Sequence, residues 1–154
     1  MEILRLTAGA PDTLYVELSA LDKLCVGAEG WSAESFMSEA EKDNGIVLYI
    51  TDGDRIAALL SGYTAVGEAD ITSVAVHPDF RRRGYARALT ERFEELLPDD
   101  TEDIFLEVRE SNAGAIALYE KCGFERLSVR KGFYVSPREN AVVMRKSINS
   151  KRKI

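Results

Sequence analysis

Polar and apolar residues alternate through Met1-Glu2-Ile3-Leu4-Arg5-Leu6, which predicts a first strand. From Pro11 to Cys25 the period changes. Leu14, Leu18, Leu21 and Cys25 share one helical face, and Gly27 and Gly30 end the run. Ser32 is a good N-cap for a second helix reaching about Lys42, and Trp31 is placed to pack on Phe36 as a hydrophobic staple. Apolar runs at Ile46 to Thr51 and Arg55 to Ala65 flank Asp52-Gly53, a hairpin signal. Another strand is predicted at Ile71 to His77. A helix then starts at Gly84 with Tyr85, Leu89, Phe93, Leu96 and Leu97 on one face, and Pro98 ends it. Ile104 to Arg109 reads as a strand. Asn112 caps a helix to Lys121, which Cys122-Gly123 closes. Phe124 to Arg130 and Ala141 to Arg145 finish the pattern. Strands and helices that do not strictly alternate predict an α/β fold with a mixed sheet of about seven strands and about four helices.

With 154 residues, no internal repeat and no low-complexity linker, residues 1–147 are expected to form one domain and 148–154 a basic tail, frayed at Lys151-Arg152-Lys153. No apolar run reaches the length of a membrane-spanning helix, and the first residues lack the pattern of a signal peptide. The two cysteines, Cys25 and Cys122, have no metal-ligand spacing, and one histidine gives no partner for a zinc site. No metal is expected, and a reduced, cytoplasmic protein is. The net charge of −6 argues against non-specific nucleic-acid binding. An acidic body with one cluster of arginines instead suits an anionic ligand at the cluster and a cationic one elsewhere.

That cluster lies in Val74-Ala75-Val76-His77-Pro78-Asp79-Phe80-Arg81-Arg82-Arg83-Gly84-Tyr85-Ala86. An apolar strand leads through a turn into an Arg-Gly segment at a helix start, where backbone N–H groups and the helix dipole favour a phosphate. There is neither a Gly-Lys-Ser/Thr P-loop nor a three-glycine dinucleotide fingerprint. A solvated run of charge would explain Arg81-Arg82-Arg83 by itself, but not the strand before it or the Gly84-x-Ala86 after it. His77, restricted by Pro78, is a turn residue rather than a base. The pattern Arg81-x-x-Gly84-x-Ala86 resembles the pyrophosphate loop of the GCN5-related N-acetyltransferases, the GNAT superfamily, whose members bind acetyl-CoA.

A second stretch, Leu106-Glu107-Val108-Arg109-Glu110-Ser111-Asn112 continuing to Phe124, resembles the RimI-type ribosomal-protein-alanine N-acetyltransferases and their N-terminal-acetyltransferase relatives. The similarity extends through Arg130-Lys131-Gly132-Phe133-Tyr134 and Glu139 to Met144. Gly30-Trp31-Ser32 with Phe36 is similar to the family's Pro-Trp-Ser segment, with glycine in place of proline. The resemblance implies a GNAT fold, acetyl-CoA as co-substrate and a protein N-terminus as acceptor, that of a basic ribosomal protein. A small-molecule amine or a lysine acceptor is the alternative.

A thioester is already activated, so the chemistry asks only for help with protons. Alternation puts Phe105, Glu107 and Arg109 on one face of their strand, where a carboxylate can serve as a base. By resemblance Glu107 is the proton acceptor and Tyr119 the proton donor to the departing sulfur. Helical spacing alone would make Tyr119 a core aromatic. Asn112 is a helix cap and, by resemblance, a ligand of the cofactor arm. The edge expected to pair with the cofactor's amides is Val74, Ala75 and Val76, and its backbone N–H is expected to polarise the thioester carbonyl. Arg81, Arg82, Arg83, Gly84, Tyr85 and Ala86 make the phosphate cradle. By resemblance Tyr134, in the loop between the last two strands, helps cover the peptide. Trp31 and Phe36 line the same groove or simply staple their helix. Cys122, beside a helix-ending glycine, is a small buried hydrophobe rather than a nucleophile.

Overall fold

Seven strands form one sheet in the order β1-β2-β3-β4-β5-β7-β6, with helices on both faces. The computed structural model describes residues 1–148. The expectations for Lys151, Arg152 and Lys153 lie outside them. The strands are β1 (Ile3–Arg5), β2 (Gly45–Asp52), β3 (Arg55–Ala65), β4 (Glu68–Val76), β5 (Asp103–Arg109), β6 (Glu125–Val135) and β7 (Arg138–Ser147). The helices are α1 (Asp12–Val26), α2 (Ala33–Glu41), α3 (Tyr85–Glu95) and α4 (Ala113–Lys121). All neighbours run antiparallel except β4 and β5, which are parallel. A parallel pair needs a crossover, and α3 supplies it.

Two cores follow from the strand alternation. Ile46, Leu48 and Ile50 of β2 face α3 and α4, together with Leu89, Phe93, Ile104 and Leu106. Val47 faces the other way, into Leu18, Leu21 and Phe36 under α1 and α2. Phe36 and Phe93 are wholly buried, each contributing roughly 2–3 kcal/mol of hydrophobic stabilisation. The caps agree with the sequence. Ser32 Oγ accepts the Ser35 N–H at 3.1 Å, and Asn112 Oδ1 accepts that of Ala115 at 3.1 Å. The Trp31 and Phe36 rings lie 5.3 Å apart, as a staple requires. His77 Nδ1 accepts the Asp79 N–H at 3.1 Å, the role of a turn residue.

The last two strands are longer than the apolar pattern suggests. Pairing continues past a register shift between Arg130 and Tyr134 to Val135↔Arg138. Tyr134, expected in the connecting loop, therefore lies within β6, opposite Glu139. Its neighbours Phe133 and Val135 are apolar yet exposed, so no alternation of polar and apolar residues marks this end as a strand.

One irregularity opens the sheet. β3 and β4 pair as Ser61↔Ser73 and then Gly62↔Ile71, which leaves Thr72 as an extra residue. A bulge bends its strand, and the Ser61 and Thr72 hydroxyls, 2.8 Å apart, fix it. The parallel pairing of β4 with β5 ends one residue before it, at Ile71↔Leu106. Beyond this point β5 stays with β7 and β4 with β3. The two strands diverge, and the gap between them is where the candidate site lies.

Candidate active site

A trough crosses the gap, in three connected parts. The largest, a cleft of about 820 Å³, runs from the Val74–Val76 edge of β4 to α4. Val74, Ala75, Val76, Arg81, Arg82, Gly84, Tyr85, Ala86, Asn112 and Tyr119 all line it. A middle part of about 380 Å³ shares Val74, Asn112 and Tyr119 with this cleft and adds Trp31, Glu107 and Tyr134. The third, about 360 Å³, shares Trp31, Glu107 and Tyr134 with the middle part and adds Tyr63, Asp70 and Phe133. Tyr119 thus stands at the first junction and Glu107 at the second.

The Arg-Gly turn forms the mouth of the large cleft. Gly84 is the N-cap residue of α3 at φ 80°, and no side chain caps the helix. The first N–H groups of a helix have no acceptor within it, so those of α3 are available to a ligand. Arg82 also adopts a left-handed φ, 65°, which makes the turn concave. Arg81 Nε is anchored on the Val76 carbonyl at 3.2 Å. Arg82 has no ion-pair partner among the described residues. Two cations absent from the sequence reading join them, Arg87 and Lys121. Arg87 is one turn into α3, past the motif, and Lys121 lies at the far end of α4, so no local signal marks either.

Two predicted residues lie elsewhere. The Arg83 guanidinium leaves the cleft, pairs with Asp52 on the β2–β3 turn at 3.3 Å and stacks over Phe80 at 5.0 Å. Phe36 lines none of the three parts. It is a core residue, and Trp31 alone of that pair reaches the trough. A helix staple already explains its position.

Tyr119 is nearly buried, and its ring meets Phe124 edge-on at 5.9 Å. Burial raises the phenol well above its ordinary value, and the neighbouring Cys122 and Tyr134 add to this. It therefore stays protonated through the neutral range and can donate a proton but not accept one. Tyr134 is pushed up to about 12, chiefly by burial and then by the Glu107 charge. Burial also pushes up the Cys25 and Cys122 thiols, the opposite of what a nucleophile needs.

Glu107 faces away from the α3–α4 core, as alternation predicts, with Ile104, Leu106 and Val108 buried behind it. Arg130 Nη1 donates to its Oε1 at 3.0 Å, while Oε2 has no hydrogen-bond partner among the described residues. Asp70 sits nearby beside the Tyr63 hydroxyl. Burial raises its carboxyl, the Tyr63 hydrogen bond opposes this, and the Glu107 and Glu68 charges raise it further. Glu29 closes this side from the α1–α2 turn. Three carboxylates and four aromatic rings thus line the far end, an environment suited to a cationic group.

Trp31 is held from α1. Ser19 donates to its carbonyl at 2.7 Å and Asp22 accepts its N–H at 2.7 Å. Asp22, almost wholly buried, also accepts the Ser73 hydroxyl of β4. The preceding Gly30 explains the missing proline. A Cβ there would lie 2.7 Å from both the N and the Cα of Lys23, too close for any side chain.

The model described as "Acetyltransferase (GNAT) family" matches residues 15–124. The [ribosomal protein bS18]-alanine N-acetyltransferase of Salmonella typhimurium is 38% identical over 117 residues, 74% of this chain and 78% of that protein. A crystal structure of the ribosomal-protein-S18-alanine N-acetyltransferase from Escherichia coli superposes with a TM-score of 0.78 at 30% identity, covering 96% of this chain and 94% of that one. Naa20 of Chaetomium thermophilum, solved with a bisubstrate analogue, reaches 0.82 at 24% identity over 99% and 90% of the two chains, a likeness of fold. With a family match over most of its length and the splayed sheet around a cationic turn, this chain belongs to the GNAT family of acetyltransferases.

Proposed function

We propose that this protein transfers the acetyl group of acetyl-CoA to a protein N-terminal α-amine, and that the acceptor is the N-terminal alanine of ribosomal protein bS18. The observation that carries this reading is the placement of Tyr119 and Glu107 at successive junctions of one trough. A cationic cleft lies on one side of the pair and an acidic, aromatic one on the other. The similarity to the Salmonella protein supports the choice of acceptor.

The large cleft fits the cofactor by its donor set. The uncapped N-terminus of α3 and the concave Arg82–Gly84 turn suit a pyrophosphate, and Arg81, Arg82, Arg87 and Lys121 supply positive charge. Beyond Ile71 the β4 edge has no partner strand on the β5 side among the described residues, and apart from the Val76 carbonyl, which accepts from Arg81 and Cys25, its backbone is open to the amides of an extended arm. Asn112, capping α4 at the wall, is in reach of the same arm.

When bound, acetyl-CoA supplies an acyl group already activated as a thioester. Glu107 Oε2 accepts a proton from the incoming ammonium, whose ordinary pKa is about 8, directly or through one water. The freed amine forms the new N–C bond as the C–S bond breaks, and the second proton that the new amide nitrogen sheds replaces, by way of solvent, the one that Tyr119 gives up. Backbone N–H of Val74–Val76 polarises the carbonyl, and Tyr119 gives its proton to the departing sulfur. Tyr134 and Trp31 wall the acceptor in.

The test is mass spectrometry of a bS18 N-terminal peptide after incubation with protein and acetyl-CoA. A single acetyl group on the α-amine of the peptide's leading alanine is expected, with none on the same peptide already blocked. Modification of lysine side chains only would overturn the reading in favour of a lysine acetyltransferase, and no modification of either would remove the peptide from consideration.

A further inference from the structure

Glu29 in the α1–α2 turn and Val135 at the tip of the β6–β7 hairpin are 106 residues apart in sequence, yet they are bonded. Glu29 Oε1 accepts the N–H groups of Val135 at 2.8 Å and Ser136 at 3.0 Å. Its Oε2 accepts from Arg109 Nη2 at 3.2 Å. Arg109, the last residue of β5, also donates to the Ser136 carbonyl at 3.2 Å and the Pro137 carbonyl at 2.9 Å, and to Glu139 Oε1 at 3.3 Å. Its guanidinium lies 4.3 Å over the Tyr134 ring. Glu139 is itself fixed, because its Oε2 accepts the Ser111 N–H at 2.6 Å.

This network has work to do that packing does not. β6 is an edge strand and its residues are exposed from end to end, with only Gly132 and Tyr134 partly covered. Among the described residues neither apolar core includes the hairpin tip, so neither fixes where it sits relative to α1. A planar guanidinium with five N–H donors can hold two carboxylates, two carbonyls and an aromatic face together, which a lysine cannot do. Glu29, Arg109, Tyr134 and Ser136 all line the middle part of the trough, on its acceptor side.

We propose that Arg109, gripped by Glu29 and Glu139, is a positioning residue that latches the hairpin tip to the α1–α2 turn and so holds Tyr134 across the acceptor side. The latch sets how tightly the peptide is held. It leaves the cofactor cleft and the acetyl-transfer step alone. The inference rests on the acceptor reading above.

The experiment compares wild type with Glu139→Gln, which removes a latch carboxylate that lines no part of the trough, and Arg109→Lys, using the bS18 N-terminal peptide and acetyl-CoA. Each variant is first checked for a native circular-dichroism spectrum. Losing one charge-assisted set of bonds should raise the peptide KM by about tenfold in both variants. kcat and the KM for acetyl-CoA should stay at the wild-type values. Hydrogen exchange at the Val135 and Ser136 amides of the free protein should quicken in both. An unchanged peptide KM, or a drop in kcat with KM fixed, overturns the proposal. If the wild type leaves the peptide unmodified, the acceptor reading fails instead. Amide exchange then decides the latch without a substrate: unchanged rates at Val135 and Ser136 overturn it, and faster rates support it.

Discussion

Tyr119 and Glu107 are the two side chains on which the proposed chemistry turns, and their surroundings separate the roles. A buried phenol that holds its proton cannot be the base, whereas the Glu107 carboxylate, partly exposed and open at Oε2, has an oxygen free to take a proton. Tyr119→Phe keeps the ring against Phe124, so it should lower kcat by roughly 10²-fold or more while leaving acetyl-CoA affinity unchanged by calorimetry. Glu107→Gln should lower kcat at pH 7 by about 10²–10⁴-fold. The deficit should shrink as the pH passes about 8, where the amine sheds its own proton. A deficit that is constant with pH would remove Glu107 from the role of base. The latch carboxylates give a second pH effect. The Val135 and Ser136 amides hold Glu29 below the usual carboxylate range, helped by Arg109, and Ser111 and Arg109 do the same for Glu139. A depressed carboxylate stabilises the fold above its unfolded-state pKa and loses that contribution as pH falls through the folded one. Thermal melts of wild type and Glu29→Gln should therefore differ at pH 7, and the difference should vanish at acid pH, below the usual carboxylate range. A gap that persists there would mean that the charge of Glu29 is not what the fold uses.

At the scale of elements, the α1–α2 connection is the most constrained segment for its length. Gly30 packs on the backbone of Lys23, its N–H donates to the Gly27 carbonyl at 2.9 Å, and Trp31 is tied to Ser19 and Asp22. Its φ of −61° suits proline, but neither the space nor the hydrogen bond does. Gly30→Ala should cost about 1–3 kcal/mol through overpacking, and Gly30→Pro should cost more. Either loss should show as a lower melting temperature. An unchanged Tm for Gly30→Ala would mean that the turn relaxes without loss. Elements with regular periods were legible beforehand: α1, α3, the β2–β3 hairpin and β5 all fall within a few residues of the pattern. The end of β6 was not, because an exposed edge strand stabilised by backbone pairing and a polar latch carries no apolar alternation.

Over the whole molecule, charge is divided between the ends of the trough. The cleft at α3 gathers Arg81, Arg82, Arg87 and Lys121, and the far part gathers Glu29, Asp70 and Glu107 within a chain of net charge −6. Such a field should assist the approach of an anionic cofactor and of a basic acceptor together. Raising salt from about 0.05 to 0.5 M should raise the KM of a bS18 peptide with basic residues. A peptide with the same N-terminal alanine and no basic residues should respond less. Equal responses would rule out steering of the acceptor. The sequence by itself determined the elements with regular periods, the cationic turn before α3, and the register that turns Glu107 away from the core, because each is set by neighbours a few positions apart. It also supplied the resemblance to the GNAT family. Tertiary structure alone decided that Arg83 leaves the cleft for Asp52, that Phe36 is core and Trp31 is not, and that Glu29 meets Arg109 and Val135. It also decided where β4 leaves β5. Those outcomes depend on contacts between residues far apart in the chain, and a single sequence has no local period or spacing in which such contacts can be read.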